Sequence, residues 1–136
     1  MTPNIFSEVD DASDQWSWSE KLGYDRAQEL LDYHFSQFLN LKEDMAWLAQ
    51  HNFTAVRIPV GYWMFLSREE LQDMGVPYTA EGVEYLDAAF SQAETQNLDV
   101  VVCMHGAPGS QNGMQESGHE QDQAQWTEGD NMEKTL

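Results

Sequence analysis

Along the chain the spacing of hydrophobic positions switches between a helical and an extended period. From Tyr24 to about His51 apolar residues recur at three- and four-residue steps. Phe38, Leu41, Met45 and Leu48 share one face, and the pattern predicts a single amphipathic helix over 24–51. Residues 54–60 (TAVRIPV) are short, β-branched and punctuated by Pro59, which predicts a strand. A second helical pattern covers 78–97. Thr79 is its expected N-cap, Glu81 and Glu84 stand in its first turns where the helix dipole favours anions, and Val83, Leu86, Phe90 and Ala93 form its stripe. Residues 98–104 (LDVVVCM) are a nearly unbroken apolar run and predict a second strand, buried on both faces. Residues 1–23 follow neither period. They set Trp16 and Trp18 among acidic and small residues, as an ordered loop or an arm packed on another part of the fold would.

The order helix, strand, helix, strand, with a connection far longer than a hairpin, predicts an α/β fold with parallel strands and a right-handed crossover. In such folds ligand chemistry gathers at the carboxyl ends of the strands. Arg57, Pro59 and Tyr62 cluster around the end of the first strand, and His105 ends the second. The loop that follows, GAPGSQNG, can bring backbone close to a ligand.

Each of these residues has two readings. Arg57 inside an apolar strand is either half of a structural ion pair or a fork of donors for a carboxylate or a sugar hydroxyl; if buried it needs an acidic partner. His105 is either a satisfied structural histidine or a site residue. Cys103, Glu116 and His119 near it raise a metal centre as a third option, but their spacing fits no zinc pattern. The glycine loop lacks the lysine and spacing of a phosphate-binding loop, and Ser110 has no nucleophile-elbow frame. Trp16, Trp18, Trp63 and Trp126 could stack on sugars or simply pack.

Composition narrows the partners. The chain of 136 residues has the size of one domain, and 41% apolar residues with 16 aromatic ones (five Trp, five Tyr, six Phe) suffice for a core. With 24 acidic against six basic residues the net charge is −18, which opposes nucleic acid and anionic membrane surfaces and suits a neutral or cationic ligand. That acidity also matches proteins adapted to salt. Cys103 is the only cysteine, so no internal disulfide forms. There is no basic start followed by an apolar run, and no stretch of about 18 apolar residues.

Five blocks in order, TPNIF, HFSQF, VRIPVGYW, EYLDAA and HGAPGSQNG, resemble the fungal-type exo-β-1,3-glucanases of glycoside hydrolase family 5. The resemblance implies an incomplete piece of a (β/α)8 TIM barrel, with 54–60 as its second strand and 98–104 as its third. Residues 1–136 are then a partial barrel domain lacking strand 1 and strands 4–8, and Asn131 to Leu136 begin the third helix. It implies a retaining glycosidase acting on β-glucan or a β-glucoside, without a cofactor, and secreted, periplasmic or cell-surface, although this chain shows no signal peptide. The family's acid/base glutamate follows an asparagine after the fourth strand and its nucleophile ends the seventh. No Asn-Glu pair occurs here, so both catalytic glutamates are expected beyond Leu136 and the chain alone is expected to be inactive. A non-catalytic glucan-binding or assembly protein derived from the barrel is the alternative. The resemblance assigns Arg57 to the neighbourhood of the nucleophile and His105 to the −1 subsite, with Tyr62, Asn112 and Glu116 in supporting positions. Three departures stand out: Cys103 replaces a usual Asp, Met114 a usual aromatic, and Gln115-Glu116 a usual Asp-Asn.

Overall fold

The computed structural model describes residues 5–38, 40–80 and 82–135. In chain order it contains a 3-10 turn at Ile5–Glu8, helices α1 (Gln15–Leu22), α2 (Tyr24–Phe38) and α3 (Leu41–Gln50), and strand β1 (Ala55–Gly61). A 3-10 turn at Tyr62–Phe65, helices α4 (Arg68–Asp73) and α5 (Val83–Thr95) and strand β2 (Asp99–Gly106) follow. The described chain closes with 3-10 turns at Gln115–Ser117 and Glu133–Thr135.

The two strands pair in parallel, with Ala55 opposite Asp99 and Val60 opposite Met104. The helices α3 and α5 lie on one face. Met45, Ala89, Ala93 and Leu98 form the buried centre of that layer, and Leu41, Leu48, Val56, Ile58 and Val100 pack against it. Strand alternation turns the intervening residues, Arg57, Val101 and Cys103, to the opposite face.

Several expectations need correction. The helix expected over 24–51 is two helices. Asn40 opens α3 as its N-cap residue with non-helical backbone (φ −100°, ψ +61°), and its side-chain amide donates to Glu43 Oε2 at 2.7 Å without capping the helix backbone. Leu41, Met45 and Leu48 do share the sheet-facing side, while the side chain of Phe38 lies outside the described residues. Thr79 is not a cap: α5 starts four residues later behind Gly82, whose φ is +108°, and Thr79 is buried. Glu81 lies outside the described residues. The inward stripe of α5 is Leu86, Ala89 and Ala93, whereas Val83 and Phe90 sit on its exposed flank.

Strand β2 is only partly covered. Val101 is 52% exposed on the face away from the helices, and Val102 and Met104 are open even on the helix-facing side, because among the described residues the sheet has two strands and one helical layer. Residues 1–23 are more regular than expected. Asp14 caps α1 by accepting from the Ser17 amide at 2.7 Å, and Trp18 is fully buried with Ala27 and Leu31. At the other end, the third helix expected from Asn131 to Leu136 shows as the 3-10 turn Glu133–Thr135, and Leu136 lies outside the described residues. A turn closed by bonds to the third residue back is tighter than an α-helix and is kept to short pieces.

Candidate functional site

The register of the sheet builds the site. Val60 pairs with Met104, but the next pair is Gly61 with Gly106, so His105 is the extra residue of a bulge at the carboxyl end of β2. A bulge re-aims a side chain next to regular strand. Here the His105 ring meets Arg57, with Nη2 to Nδ1 at 3.5 Å. A guanidinium only donates, so Nδ1 is the acceptor and the proton of the neutral imidazole sits on Nε2. The site thus presents a fixed cation beside an N–H donor. Arg57 is exposed rather than buried, on the open face of the sheet, and the three ion pairs among the described residues do not include it.

The loop after β2 is fixed by its side chains. Gln111 Nε2 donates to the His105 carbonyl at 2.6 Å, and Gln111 Oε1 accepts from the Ala107 amide at 3.0 Å. Ser110 and Ser117, both buried, share a hydrogen bond of 2.6 Å. The glycines make room for Trp63. A Cβ at Gly106 or Gly118 would collide with its indole, and Gly118 also has φ +87°. Trp63 in turn stacks on Tyr78 at 3.9 Å and 12°, and the Tyr78 hydroxyl donates to the Gly118 carbonyl at 3.1 Å.

The N-terminal arm closes one side. Asp14 Oδ2 accepts from the Glu120 amide at 2.6 Å while its Oδ1 caps α1. The Trp16 amide donates to the Gly118 carbonyl at 2.8 Å, and the Trp16 ring stacks on His119 at 3.9 Å and 6°. Burial holds the His119 pKa below the ordinary histidine value, against the upward pull of Asp14 and Glu20. Between arm and strand ends lies a cleft of about 610 Å³ lined by Asp14, Pro59, Trp63, His105, Glu116 and Gly118 among others.

The five residues singled out in the sequence are therefore distributed unevenly. Arg57 and His105 touch, and Glu116 shares the cleft with His105. Asn112 stands one step back, donating to Glu116 Oε1 at 3.0 Å. Tyr62 is 7% exposed and packs edge-on against Trp63 and Tyr78, in the aromatic cluster behind the cleft; burial raises its pKa to about 12. His119, weighed above as a metal ligand, faces Trp16 and Gln121 instead. Of the four tryptophans considered for sugar stacking, Trp18 and Trp63 are buried in packing and the Trp126 indole donates to Thr135. Gln111, Ser117 and Asp14 escaped the sequence reading, and Ser110 entered it only as a nucleophile without the elbow frame. The SQN run carried a signal for the loop residues, since such side chains satisfy turn backbone.

No protein-family profile matches the chain. Individual relatives match along its whole length. The probable glucan 1,3-beta-glucosidase A of Aspergillus fumigatus is 40% identical over all of this chain, which corresponds to 31% of the relative. The counterpart in Emericella nidulans is 39% identical with 32% coverage, and the glucan 1,3-beta-glucosidase of Schwanniomyces occidentalis is 38% identical with 32% coverage. The chain spans about a third of the length of the curated relatives it matches. Among solved structures, a rutinosidase from Aspergillus niger superposes on 89% of this chain and 32% of its own, with a TM-score of 0.74 at 24% identity. The chain is therefore similar along its whole length to about a third of the glucan 1,3-beta-glucosidases, and it folds as part of a TIM barrel.

Proposed function

We propose that these 136 residues are a segment of a retaining β-glucosidase of the exo-β-1,3-glucanase type, contributing its second and third barrel strands and part of its sugar-binding wall. One observation carries the reading. The Arg57 side chain, from the third residue of β1, meets His105 at the carboxyl end of β2, in a chain 38–40% identical along its whole length to glucan 1,3-beta-glucosidases. Strand 1 and strands 4–8 come from outside these residues, and the two catalytic glutamates from beyond Leu136.

Retaining hydrolysis needs two carboxyl groups about 5–5.5 Å apart, one to protonate the leaving oxygen and one to attack the anomeric carbon. Arg57 serves the second: a permanent cation beside a carboxylate favours its ionised, nucleophilic form. His105 holds the sugar. With Nδ1 turned to Arg57, its Nε2–H is the donor available to a hydroxyl in the −1 subsite. Glu116, steadied by Asn112, offers acceptors on the cleft wall. A net charge of −18 suits a neutral glucan and opposes nucleic acid and anionic membrane. The complete enzyme then acts on glucan outside the cytoplasm.

The test is a graft. This chain replaces the matching third of the Aspergillus fumigatus relative. The chimera is expected to release glucose from laminarin and to lose that activity in Arg57→Ala, while the isolated chain does not hydrolyse aryl β-glucosides. A folded but inactive chimera overturns the reading, as does isolated-chain turnover that disappears in Arg57→Ala.

A further inference from the structure

The contact with Arg57 is too weak to set the direction in which His105 points. At 3.5 Å it lies at the long limit for a hydrogen bond, and its partner is a long, exposed side chain. The backbone that carries the ring is held by shorter bonds. As the extra residue of the bulge, His105 is left out of the regular ladder. Its carbonyl then needs a partner from elsewhere.

Gln111 is that partner, and the turn before it shows how it arrives. Gly109 and Ser110 both have positive φ, +73° and +59°, and the Ser110 amide donates to the Ala107 carbonyl at 2.9 Å. Two successive left-handed residues reverse the chain, so Gln111 returns to the strand end it has just left. A serine in that conformation is uncommon. It is kept there by its hydroxyl, which accepts from the Gly113 amide at 2.8 Å and bonds to Ser117. Ser110 thus holds the turn, and Gln111 ties the turn to His105.

The Gln111 side chain makes two bonds there. Its Nε2 donates to the His105 carbonyl at 2.6 Å, and its Oε1 accepts from the Ala107 amide at 3.0 Å. A primary amide sets donor and acceptor side by side, as a peptide group of a neighbouring strand does. The two bonds straddle Gly106, against which the Trp63 indole packs so closely that a Cβ would meet it. All of these atoms except the indole belong to the continuous stretch 105–117, so the arrangement is independent of what the rest of the barrel adds around it. We propose that Gln111 is a positioning residue: by standing in for a strand neighbour at the bulge, it fixes the direction in which His105 presents its Nε2–H. That His105 presents it to a sugar rests on the function proposed above.

The chimera supplies the missing strands and is the protein to test. Gln111→Met keeps the length of the side chain and removes both bonds. It should lower kcat/KM on laminarin roughly ten- to hundredfold, the cost of shifting a positioning group by up to about 1 Å. In a His105→Ala background the same change should cost less than about twofold, because the group that it positions is gone. Ser110→Ala loosens the same loop without touching His105, and should lower Tm while leaving kcat/KM unchanged. No loss in Gln111→Met, an equal loss in both backgrounds, or a loss as large in Ser110→Ala would reduce Gln111 to a loop fastener and overturn the proposal. The His105 ring signal, identified by its absence in His105→Ala, reads the same relationship without turnover by nuclear magnetic resonance of histidine-labelled chimera. It should move in Gln111→Met and stay in Ser110→Ala; a signal unmoved in Gln111→Met overturns the proposal whatever the kinetics. An inactive wild-type chimera whose His105 signal still moves with Gln111→Met alone ends the function proposed above and leaves the hold of Gln111 on His105 standing. Should Gln111→Met unfold the chimera, Gln111→Glu takes its place in each comparison, since it keeps the acceptor for Ala107 and loses the donor to His105.

Discussion

Arg57 and His105 approach to 3.5 Å although 48 residues separate them, and strand alternation sets both on the open face of the sheet. Both are accessible, and the contact is at the long limit for a hydrogen bond. Such a pair contributes little to stability. Arg57→Ala and His105→Ala should each change unfolding free energy by about 0.5 kcal/mol or less in urea titration. A loss above about 2 kcal/mol in either would make the pair structural, which is the competing reading that the sequence left open.

The strands and the end of the sheet that carries Arg57 and His105 were legible because their signals are local. A β-branched run, a Pro and a terminal His need no knowledge of partners. What covers each face was not legible. The run Val100 to Met104 is as apolar as a strand buried twice, yet burial is decided by the layers present, and one face here has none among the described residues. Helix ends were misread for a different reason. Asp14 caps α1 with Ser17 at the third position, where the usual signature has Glu or Gln. Gly82 starts α5 with no side-chain cap at all, so Thr79 drew the attention. Tyr62 illustrates the remaining gap: its motif is at the strand end, but the 3-10 turn after β1 rotates it into the aromatic cluster.

The glycines after β2 are set by Trp63 rather than by a ligand alone. Gly118→Ala adds a Cβ against the indole at a positive φ, and should cost about 2–4 kcal/mol. Trp63→Ala should cost about 3–5 kcal/mol by leaving a cavity. With the indole gone the collision disappears, so the double variant should lose clearly less than the sum of the two in urea titration. Strict additivity would mean that the two residues do not contact.

Asp14 joins the arm to the loop with one carboxylate, Oδ1 capping α1 and Oδ2 accepting from the Glu120 amide. Asp14→Ala removes a cap and leaves an amide without its acceptor, for a cost of about 2 kcal/mol. Hydrogen exchange is the sharper measurement. The Glu120 and Ser17 amides should both lose protection, while amides of the β1–β2 ladder keep theirs. Unchanged Glu120 protection would mean that the loop is ordered without the arm.

The pH dependence follows from one half-buried and two buried rings, with opposite signs on the two sides of neutrality. His119 has a lowered folded pKa, so its neutral form is the one the fold accepts. Its contribution is fully present above the unfolded value of 6.5 and is lost as pH falls below it; stability should decline on acidification, and less so in His119→Gln. Tyr62 behaves in reverse. Burial raises it from 10.0 to about 12, and burial together with Tyr62 and Asp14 pushes Tyr78 higher still. The folded state therefore binds more protons than the unfolded one above pH 10, and stability present below that value falls as pH rises. Over the window from 10 to about 12, Tyr62 alone accounts for on the order of 2 kcal/mol. Absorbance at about 295 nm, where tyrosinate is seen, should show part of the tyrosine content ionising only together with the loss of far-ultraviolet circular dichroism. Ionisation of all five tyrosines near pH 10 with the fold intact would mean that Tyr62 and Tyr78 are open to water, and the aromatic cluster behind the cleft would lose its place in the structure.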